Sequence, residues 1–448
     1  MIAAVFFAPT VLRPRRFGGT LPQMRWRARG LLLAWVPLAS VGAQARHAAH
    51  GLPALQRDSL SAMATLLATT VTPALSGRAR TELQLTQPMI AVRGARRASS
   101  LQYVGMVNLE RWTMPNGEPV AGIWGEGFID RRHPHTIFHE AMLSASLGGE
   151  PLRVTLTAGK GFAPFGTDDP MVRPFTKYPA NHHLAQVMER VQLVGAVRVT
   201  AYATVEAALF NGDEPLGPTS PPQWRRIGDS RSTRLTLWPI AGLEVQGSIA
   251  FVRSPEFVRP DGLDHAKRSV SARYTPQRSV VRYLLLEWAQ TDERYRGRRI
   301  VGYGTLLGEV FARYGDWSVG LRGERTSRPE DERLLDPFRT TRPPNHLTIK
   351  GVTRWQIATV SLGHSLPTLL RVGSTLFAET SVATSTPLLR PVLLNPRDIS
   401  GADRAWHLSL GVRVATGLMA ARAGRYGAAV GAAGTNVMLG MPHGKHVP

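Results

Sequence analysis

Charged side chains of both signs are concentrated in residues 161–189, a stretch too rich in Pro and Gly to form a regular element. Two carboxylates and two basic groups lie close together there: Asp168, Asp169, Arg173 and Lys177. Opposite charges that face each other across a narrow aqueous passage would create a transverse field acting on passing ions. Asp before Pro170 is equally typical of a simple turn. The sequence leaves both interpretations open.

Three histidines share the parity of an extended strand in the sequence HPHTIFHE, namely His133, His135 and His139, with Glu140 beside them. Imidazole groups on one face of a strand can bind zinc or copper. The sequence contains no recognised metal-ligand spacing, and loop polarity is the more common explanation of such a pattern. We therefore expect neither a metal site nor any other cofactor.

A second candidate for chemistry is Gly228-Asp229-Ser230, which resembles the nucleophile turn of hydrolases. It opens a predicted strand instead of forming a strand-to-helix elbow, and no His or Asp partner can be assigned to it. The sequence also lacks a phosphate-cradling loop and a dinucleotide fingerprint. We therefore expect no enzyme and no catalytic residues, and an enzyme stays a minor alternative.

Regular strands flank the charged stretch. Apolar and polar residues alternate from Leu152 to Lys160, and the alternation resumes at Arg190. A period of two predicts a sheet with one apolar and one polar face. Segments of roughly ten residues with turn residues between them recur along the chain, which is typical of transmembrane barrels. From Ala64 to Ala415 we count sixteen of them.

The connections between these segments alternate between short and long. Such alternation is required when every second turn is periplasmic and the others face outside. We therefore predict an all-β fold, a transmembrane antiparallel β-barrel of about 16 strands (about 12 to 18), with short periplasmic turns and long extracellular loops. One segment, 280–291, alternates poorly because Leu284, Leu285 and Leu286 are consecutive. A soluble propeller or sandwich is the alternative, although neither has a reason to keep the alternation.

Composition excludes several other classes. The chain has 448 residues and no Cys, so disulfide frameworks, thiolate metal sites and Cys catalysis are ruled out. Its formal net charge is +22, and 49 of its 54 basic residues are Arg. A GC-rich genome would produce this Arg bias without any function. Nucleic-acid binding is the other explanation of such a charge, but the sequence contains no basic helix, zinc-finger spacing or aromatic RNA-binding signature.

The beginning of the chain has the pattern of an export signal. A basic region at 24–29, an apolar run at 31–41 and an A-x-A site at 43–45 predict a secretory signal peptide over 24–45. We then assign 1–23 to an upstream extension or misassigned start, 46–63 to a periplasmic lead, 64–415 to the β-barrel and 416–448 to a C-terminal tail. Removal of the first 45 residues, which carry six Arg and no acid, leaves a net charge of +16.

A sixteen-stranded barrel encloses a lumen too wide for side chains to fill. If the apolar face points outward, seven arginines point into the lumen: Arg153, Arg190, Arg198, Arg234, Arg273, Arg322 and Arg413. Fewer acids share that face, among them Glu206, Glu244 and Glu324. Fixed positive charge along an aqueous path raises the local anion concentration, so we predict an anion-leaning pore. The alternative is that these arginines pair with Glu and Asp across the lumen and only stiffen the wall.

Residues 159–166, GKGFAPFG, resemble the strand-end pattern G-x-F-x-x-P-F-G of phosphate-selective porins, with one extra residue between the first Gly and Phe162. The stretch 161–189 is also the third long loop in our count, and porins as a class fold their third loop inward as a constriction. The resemblance therefore implies a constriction formed by Lys160, Asp168, Asp169, Arg173 and Lys177.

The same resemblance implies a channel for passive diffusion of small hydrophilic solutes in the outer membrane of a Gram-negative-type bacterium. The partners it implies are outer-membrane lipid, lipopolysaccharide and small solutes, including anions; no nucleic acid is expected, and a homotrimer is compatible with it. The chain departs from porins at its end, where a Gly/Ala-rich tail replaces the usual terminal aromatic residue. The runner-up is a barrel plugged by its own loops that acts as a receptor, an adhesion or structural protein, or a metal handler.

Overall fold

A computed structural model describes residues 59–72, 79–96, 100–113, 136–149, 151–167, 173–176, 187, 189–215, 218–255, 261–276, 279–331, 349–388, 401–417 and 424–430. The predicted upstream extension, signal peptide and most of the periplasmic lead lie outside these residues. Among the candidate site residues, Asp168, Asp169, Lys177, His133 and His135 also lie outside them.

Sixteen antiparallel strands form one closed barrel, in which each strand pairs with its sequence neighbours and β1 pairs with β16. The strands are β1 Ser59–Thr72, β2 Arg80–Arg96, β3 Leu101–Asn108, β4 Phe138–Gly148, β5 Leu152–Gly161, β6 Arg190–Val199, β7 Ala203–Phe210, β8 Ser230–Ile240, β9 Leu243–Val252, β10 Asp264–Tyr274, β11 Val281–Tyr295, β12 Arg298–Tyr314, β13 Trp317–Asp331, β14 Ile349–Leu369, β15 Val372–Pro387 and β16 Arg404–Thr416. The predicted all-β antiparallel barrel with sixteen strands is confirmed.

The two faces of the wall have opposite polarity. On β16, Trp406, Leu408 and Leu410 are exposed on the outside, whereas His407 and Ser409 are buried on the lumen side. Other strands repeat this pattern, with exposed Leu, Val and Ile outside and buried Ser, Thr, Arg and Glu inside. A soluble protein would bury the apolar face. An apolar outer face around a polar interior is the arrangement of a barrel that crosses a membrane, so the soluble alternative is wrong.

The ends of several strands are set by local interactions. β3 ends at Asn108, because the Asn108 Oδ1 accepts a hydrogen bond from the Glu110 N–H (2.9 Å) and begins the short helix α1, Glu110–Thr113. β7 begins only at Ala203, because Thr200 has a φ of 65° and starts a turn. β1 begins five residues earlier than predicted, at Ser59.

One connection is shorter than expected. The predicted segment 280–291 continues as β11 to Tyr295, and β11 and β12 meet at Arg296-Gly297. Both turn residues have positive φ, 48° and 81°, which matches the twist of a tight hairpin. Within the described residues, no helix is long and apolar enough to cross a membrane.

If the outer face contacts lipid, a charged side chain on it should destabilise the barrel strongly only near the middle of the membrane. Leu306, which is 48% exposed in the middle of β12, and Tyr314, at the end of the same strand, both point outward. We expect Leu306→Lys to lower the free energy of unfolding by about 2 to 4 kcal/mol and Tyr314→Lys to lower it by less than about 1 kcal/mol. Urea unfolding in phospholipid vesicles, followed by Trp fluorescence, measures both. Equal effects of the two substitutions would contradict the membrane placement of β12.

Candidate functional site

The third long loop turns into the lumen immediately after β5. Gly159 has a φ of 140°, and a Cβ there would collide with the backbone of Ala141 on β4, so only Gly fits. Beyond it, Phe162 and Phe165 are buried. The Gly166 N–H donates to the Ser248 Oγ (2.9 Å), and its carbonyl accepts from the Gln246 Nε2 (2.6 Å). We call the described residues 162–167 and 173–176 the inward loop.

The inward loop reaches the opposite wall. Arg173 contacts Glu309 on β12 (3.0 Å) and Glu287 on β11 (3.5 Å). Thr176 donates from its backbone N–H (2.9 Å) and from its hydroxyl (2.7 Å) to the carboxylate of Glu379 on β15. These strands lie about half of the sixteen-strand circumference away from β5, so the loop crosses the lumen. Arg173 is therefore paired with the wall, while the predicted opposition to Asp168 and Asp169 involves residues outside the described part of the chain.

Glu309 is the centre of this far contact. Its carboxylate accepts hydrogen bonds from Arg173 (3.0 Å), Arg322 (2.8 Å) and the Tyr283 hydroxyl (2.9 Å). The Arg322 guanidinium also lies 4.1 Å from the centre of the Phe175 ring. Two guanidinium groups that share one buried carboxylate bind the loop by charge-assisted hydrogen bonds. Removal of the Glu309 carboxylate would leave the buried guanidinium groups of Arg173 and Arg322 without this shared acceptor.

A second segment lies inside the lumen, and the sequence did not predict it. Residues 424–430, which we call the tail segment, follow β16 and contact the lumen face of β4 to β9. The Tyr426 hydroxyl donates to the Glu140 Oε1 (2.6 Å) and accepts from the Phe162 N–H of the inward loop (3.0 Å). Arg425 donates to the Gln246 Oε1 (2.7 Å). The two inward segments therefore contact each other as well as the wall.

The backbone of the tail segment is also bound to the wall. The Gly424 carbonyl accepts from the Arg234 Nη2 (3.0 Å), and the Ala428 N–H donates to the Thr155 Oγ1 (3.0 Å). The Val430 carbonyl accepts from the Arg198 Nη1 (3.3 Å). Hydrogen bonds of this kind are needed because polar backbone groups that are buried without partners are costly.

An apolar patch on the lumen face explains where both segments pack. Wall residues from β4, β6, β7 and β9 form one cluster with Ala163 and Phe165 of the inward loop, Val187 and Tyr426: Met142, Val194, Ala208, Phe210, Ala250 and Val252. Apolar side chains on a face that should contact water indicate that something covers them. These apolar lumen residues were the only indication in the sequence that a further segment covers the wall, since the Gly/Ala-rich tail itself has no useful periodicity.

The seven predicted lumen arginines all lie on strands and point inward, and several are paired. Arg234 donates twice to Glu206, at 2.6 Å each. Arg322 pairs with Glu309, and Arg190 lies 3.3 Å from Glu214. The contacts of Arg198, Arg273 and Arg413 include neutral groups, namely the Val430 carbonyl and the rings of Trp238, Tyr283 and Phe377. Part of the set is therefore paired as the alternative predicted, but between adjacent strands of the wall and not across the lumen: Arg234 lies opposite Glu206, and Arg322 lies opposite Glu309.

Arg153 is less buried than the other six. It is half-buried on the lumen side of β5, directly opposite Arg198 on β6. Its Nε and Nη1 atoms have no hydrogen-bond partner among the residues that the structure describes. A guanidinium with free donors is a place where an anion can be bound.

The start and end of the third loop are joined by a small polar cluster. The His139 Nδ1 lies 2.6 Å from the Glu189 Oε1, and Thr136 donates its N–H to the same carboxylate (2.8 Å). Lys160 lies 3.6 Å from Glu189 and donates to the Phe138 carbonyl (2.5 Å) and to the Thr136 hydroxyl. No group of three or more potential ligands for a metal ion occurs among the described residues.

The hydrolase-like turn has structural contacts at the rim. The Ser230 Oγ donates to the Asp229 Oδ1 (2.7 Å) and accepts from the Arg253 N–H (3.0 Å). Asp229 also accepts from the Arg226 Nε (2.8 Å). At the other end of the same loop, burial raises the pKa of Asp213, although the Asn211 amide and Arg190 oppose that rise. These contacts order the loop between β7 and β8.

The contact at Glu309 generates a prediction for the inward loop. We expect Glu309→Gln to increase hydrogen exchange of the 173–176 peptide by at least about tenfold, because loss of one partner of a buried pair costs about 3 to 5 kcal/mol. Exchange measured by mass spectrometry on the refolded chain gives the result. Glu293→Gln is the matched control, since that carboxylate binds the Tyr303 hydroxyl (2.6 Å). Unchanged exchange in both variants would show that Arg173 does not hold the loop.

No model of a known protein family matches the sequence, and no curated protein matches it. Solved structures do match. An anion-selective porin from Comamonas acidovorans has a TM-score of 0.51 and 12% identity, covering 80% of this chain and 99% of that one. The outer membrane channel DcaP of Acinetobacter baumannii has a TM-score of 0.48 and 7% identity, covering 80% and 96%. OprB of Pseudomonas putida has a TM-score of 0.47 and 9% identity, covering 82% and 94%. The first likeness confirms that the chain has the porin fold.

Proposed function

We propose that the chain is an outer-membrane channel for passive diffusion of small hydrophilic solutes, narrowed by the inward loop and the tail segment. The observation that carries this proposal is the polar lumen face inside an apolar outer face, which suits an aqueous path through a membrane. The inward loop supports it further, because a charged segment that crosses a wide lumen reduces the path to a selective size.

The same proposal includes the cellular location. The chain would be exported through the signal peptide at 24–45 and inserted into the outer membrane of a Gram-negative-type bacterium. Its apolar face would then contact lipid and, in the outer leaflet, lipopolysaccharide. A homotrimer stays a prediction that measurement of the molecular mass in mild detergent can test.

Selectivity for anions follows from how the charges of the lumen arginines are balanced. Pairing with Glu206, Glu309 and Glu214 removes most of the field of Arg234, Arg322 and Arg190. Arg153 keeps free donors on the lumen side, beside Arg198. Two adjacent guanidinium groups attract anions more strongly than either one alone. The proposal therefore assigns most of the selectivity to Arg153, with Arg198 opposite it, and less to the arginines that pair with Glu206, Glu309 and Glu214.

A second candidate function has its own support. The tail segment and the inward loop both contact the wall by buried hydrogen bonds, as expected of a barrel plugged by its own chain. Such a barrel would act as a receptor or structural protein, or as a metal handler, and would not conduct. An enzyme has less support, since Ser230 and Asp229 are engaged with each other and with Arg253 and Arg226.

Conductance separates these functions and tests the role of Arg153. We expect the refolded mature chain to open stable channels in planar bilayers with a reversal potential that indicates preference for chloride. Arg153→Gln should reduce the ratio of chloride to potassium permeability, because a free lumen cation is removed. Arg268→Gln is the matched control, since Arg268 is exposed on the outer face of β10. It should leave the ratio unchanged.

Two outcomes would contradict the proposal. Folded protein that inserts into the bilayer without any conductance would exclude the channel and favour the plugged barrel. Equal loss of selectivity in the Arg153→Gln and Arg268→Gln variants would show that total charge, and not a lumen site, sets the preference.

A further inference from the structure

The strongest remaining feature is the position of Arg425. Its side chain is 5% exposed and comes from the tail segment, but its guanidinium contacts four polar side chains of the barrel wall. The Nη1 atom donates to the Thr236 Oγ1 (3.1 Å) and lies 3.6 Å from the Glu206 Oε2. The Nη2 atom donates to the Gln246 Oε1 (2.7 Å) and the Glu244 Oε1 (3.4 Å).

These four wall residues form a site on adjacent strands. Glu206 lies on β7, Thr236 on β8, and Glu244 and Gln246 on β9. Strands β7, β8 and β9 are hydrogen-bonded neighbours, so the acceptors keep their spacing whether or not the tail segment is present. The site therefore belongs to the barrel, and Arg425 is its occupant.

The geometry fits a planar cation better than a point charge. Two nitrogen atoms of one guanidinium reach two carboxylates, one amide oxygen and one hydroxyl at the same time. A fork of fixed donors matches such a set, whereas an ammonium group offers a single compact charge. Glu206 is already bound by Arg234 on its other side, so the Glu244 and Gln246 half of the site depends more on the arriving cation.

The negative charges of Glu206 and Glu244 make the site less stable when no cation occupies it. Withdrawal of Arg425 would leave Glu206 bound to Arg234 and Glu244 bound to the Trp238 Nε1 (3.2 Å), but the site would carry one more uncompensated negative charge. A second guanidinium would restore the same hydrogen bonds. Exchange of one occupant for the other therefore needs no change in the wall and breaks no strand pairing.

We propose that Glu206, Thr236, Glu244 and Gln246 form a lumen site for guanidinium-bearing cations, which the chain closes with its own Arg425. Free guanidinium compounds then compete with Arg425 and release the tail segment from the lumen. The site adds a tail-closed state to the proposed channel. Its test below does not depend on conduction.

The absence of Cys from the chain allows a direct test. Ala429, which is 2% exposed in the tail segment, is replaced by Cys in the full-length refolded protein, and its reaction with a membrane-impermeant maleimide is timed. We expect millimolar methylguanidinium chloride to raise the reaction rate by at least about threefold, because a competing ligand shifts the population toward the released state. Methylammonium chloride at the same ionic strength should leave it unchanged. Gly149→Cys, in an exposed turn, gives the rate of a fully accessible thiol.

Variants of the wall separate this site from general loosening. Glu244→Gln combined with Ala429→Cys should raise the basal rate and remove the response to methylguanidinium. Glu324→Gln is the matched control, because it removes a lumen carboxylate on β13, outside the site. If Ala429→Cys prevents folding, Val430→Cys provides the label.

Three results would overturn the proposal: equal rates with and without methylguanidinium, an equal response to methylammonium, or a response that survives Glu244→Gln. A chain that never conducts but shows the predicted labelling would contradict the channel and support the site. A chain that conducts but shows no labelling response would contradict the site alone.

Discussion

The structure depends on the pairing of β1 with β16. Within a membrane every backbone N–H and C=O must find a partner in the protein, and only closure removes the two free edges of a sheet. The register of this last pair, with Leu66 opposite Val412 and Thr69 opposite Ser409, continues the two faces of the wall across the seam. Once the barrel is closed in this way, the polarity of each remaining position follows from its parity.

Closure leaves a wide interior that the side chains of the strands cannot fill. The inward loop and the tail segment occupy part of it. The inward loop crosses from β5 to the wall near β12 and β15, where Glu309 and Glu379 receive it. The tail segment follows the arc from β4 to β9. Both segments use charged and polar contacts with the wall, while the patch around Phe210 and Val252 supplies the apolar contact between them. The lumen is therefore organised by few but strong interactions.

The fold was largely predictable, because period-two alternation identifies strands and their faces without any knowledge of contacts. Prediction from alternation failed where the lumen face is apolar. On β11, the run from Leu284 to Leu286 hid the register, and Leu285 proves to be buried inside with Tyr283 and Leu307. Hairpin ends were harder to place, since a tight turn at Arg296-Gly297 depends on how far two strands extend, which composition does not fix.

The site was predictable only in outline. The resemblance to porins indicated that the third long loop folds inward, and strand parity indicated which arginines share the lumen face. Their partners could not be predicted, because Arg173 and Glu309 are 136 residues apart in sequence and meet only through the closed barrel. The tail segment was missed entirely, although inward-facing apolar residues such as Met142 and Phe210 indicated that something covers that arc.

The most direct test of the central claim is a scan of spin labels along β16 in lipid vesicles, one introduced Cys at a time from 404 to 416. If the barrel has a lipid face and a lumen face, collision with oxygen should alternate with a period of two, high at 406, 408 and 410 and low at 407 and 409. A uniform profile, or one in which the polar positions are those that meet oxygen, would contradict the account.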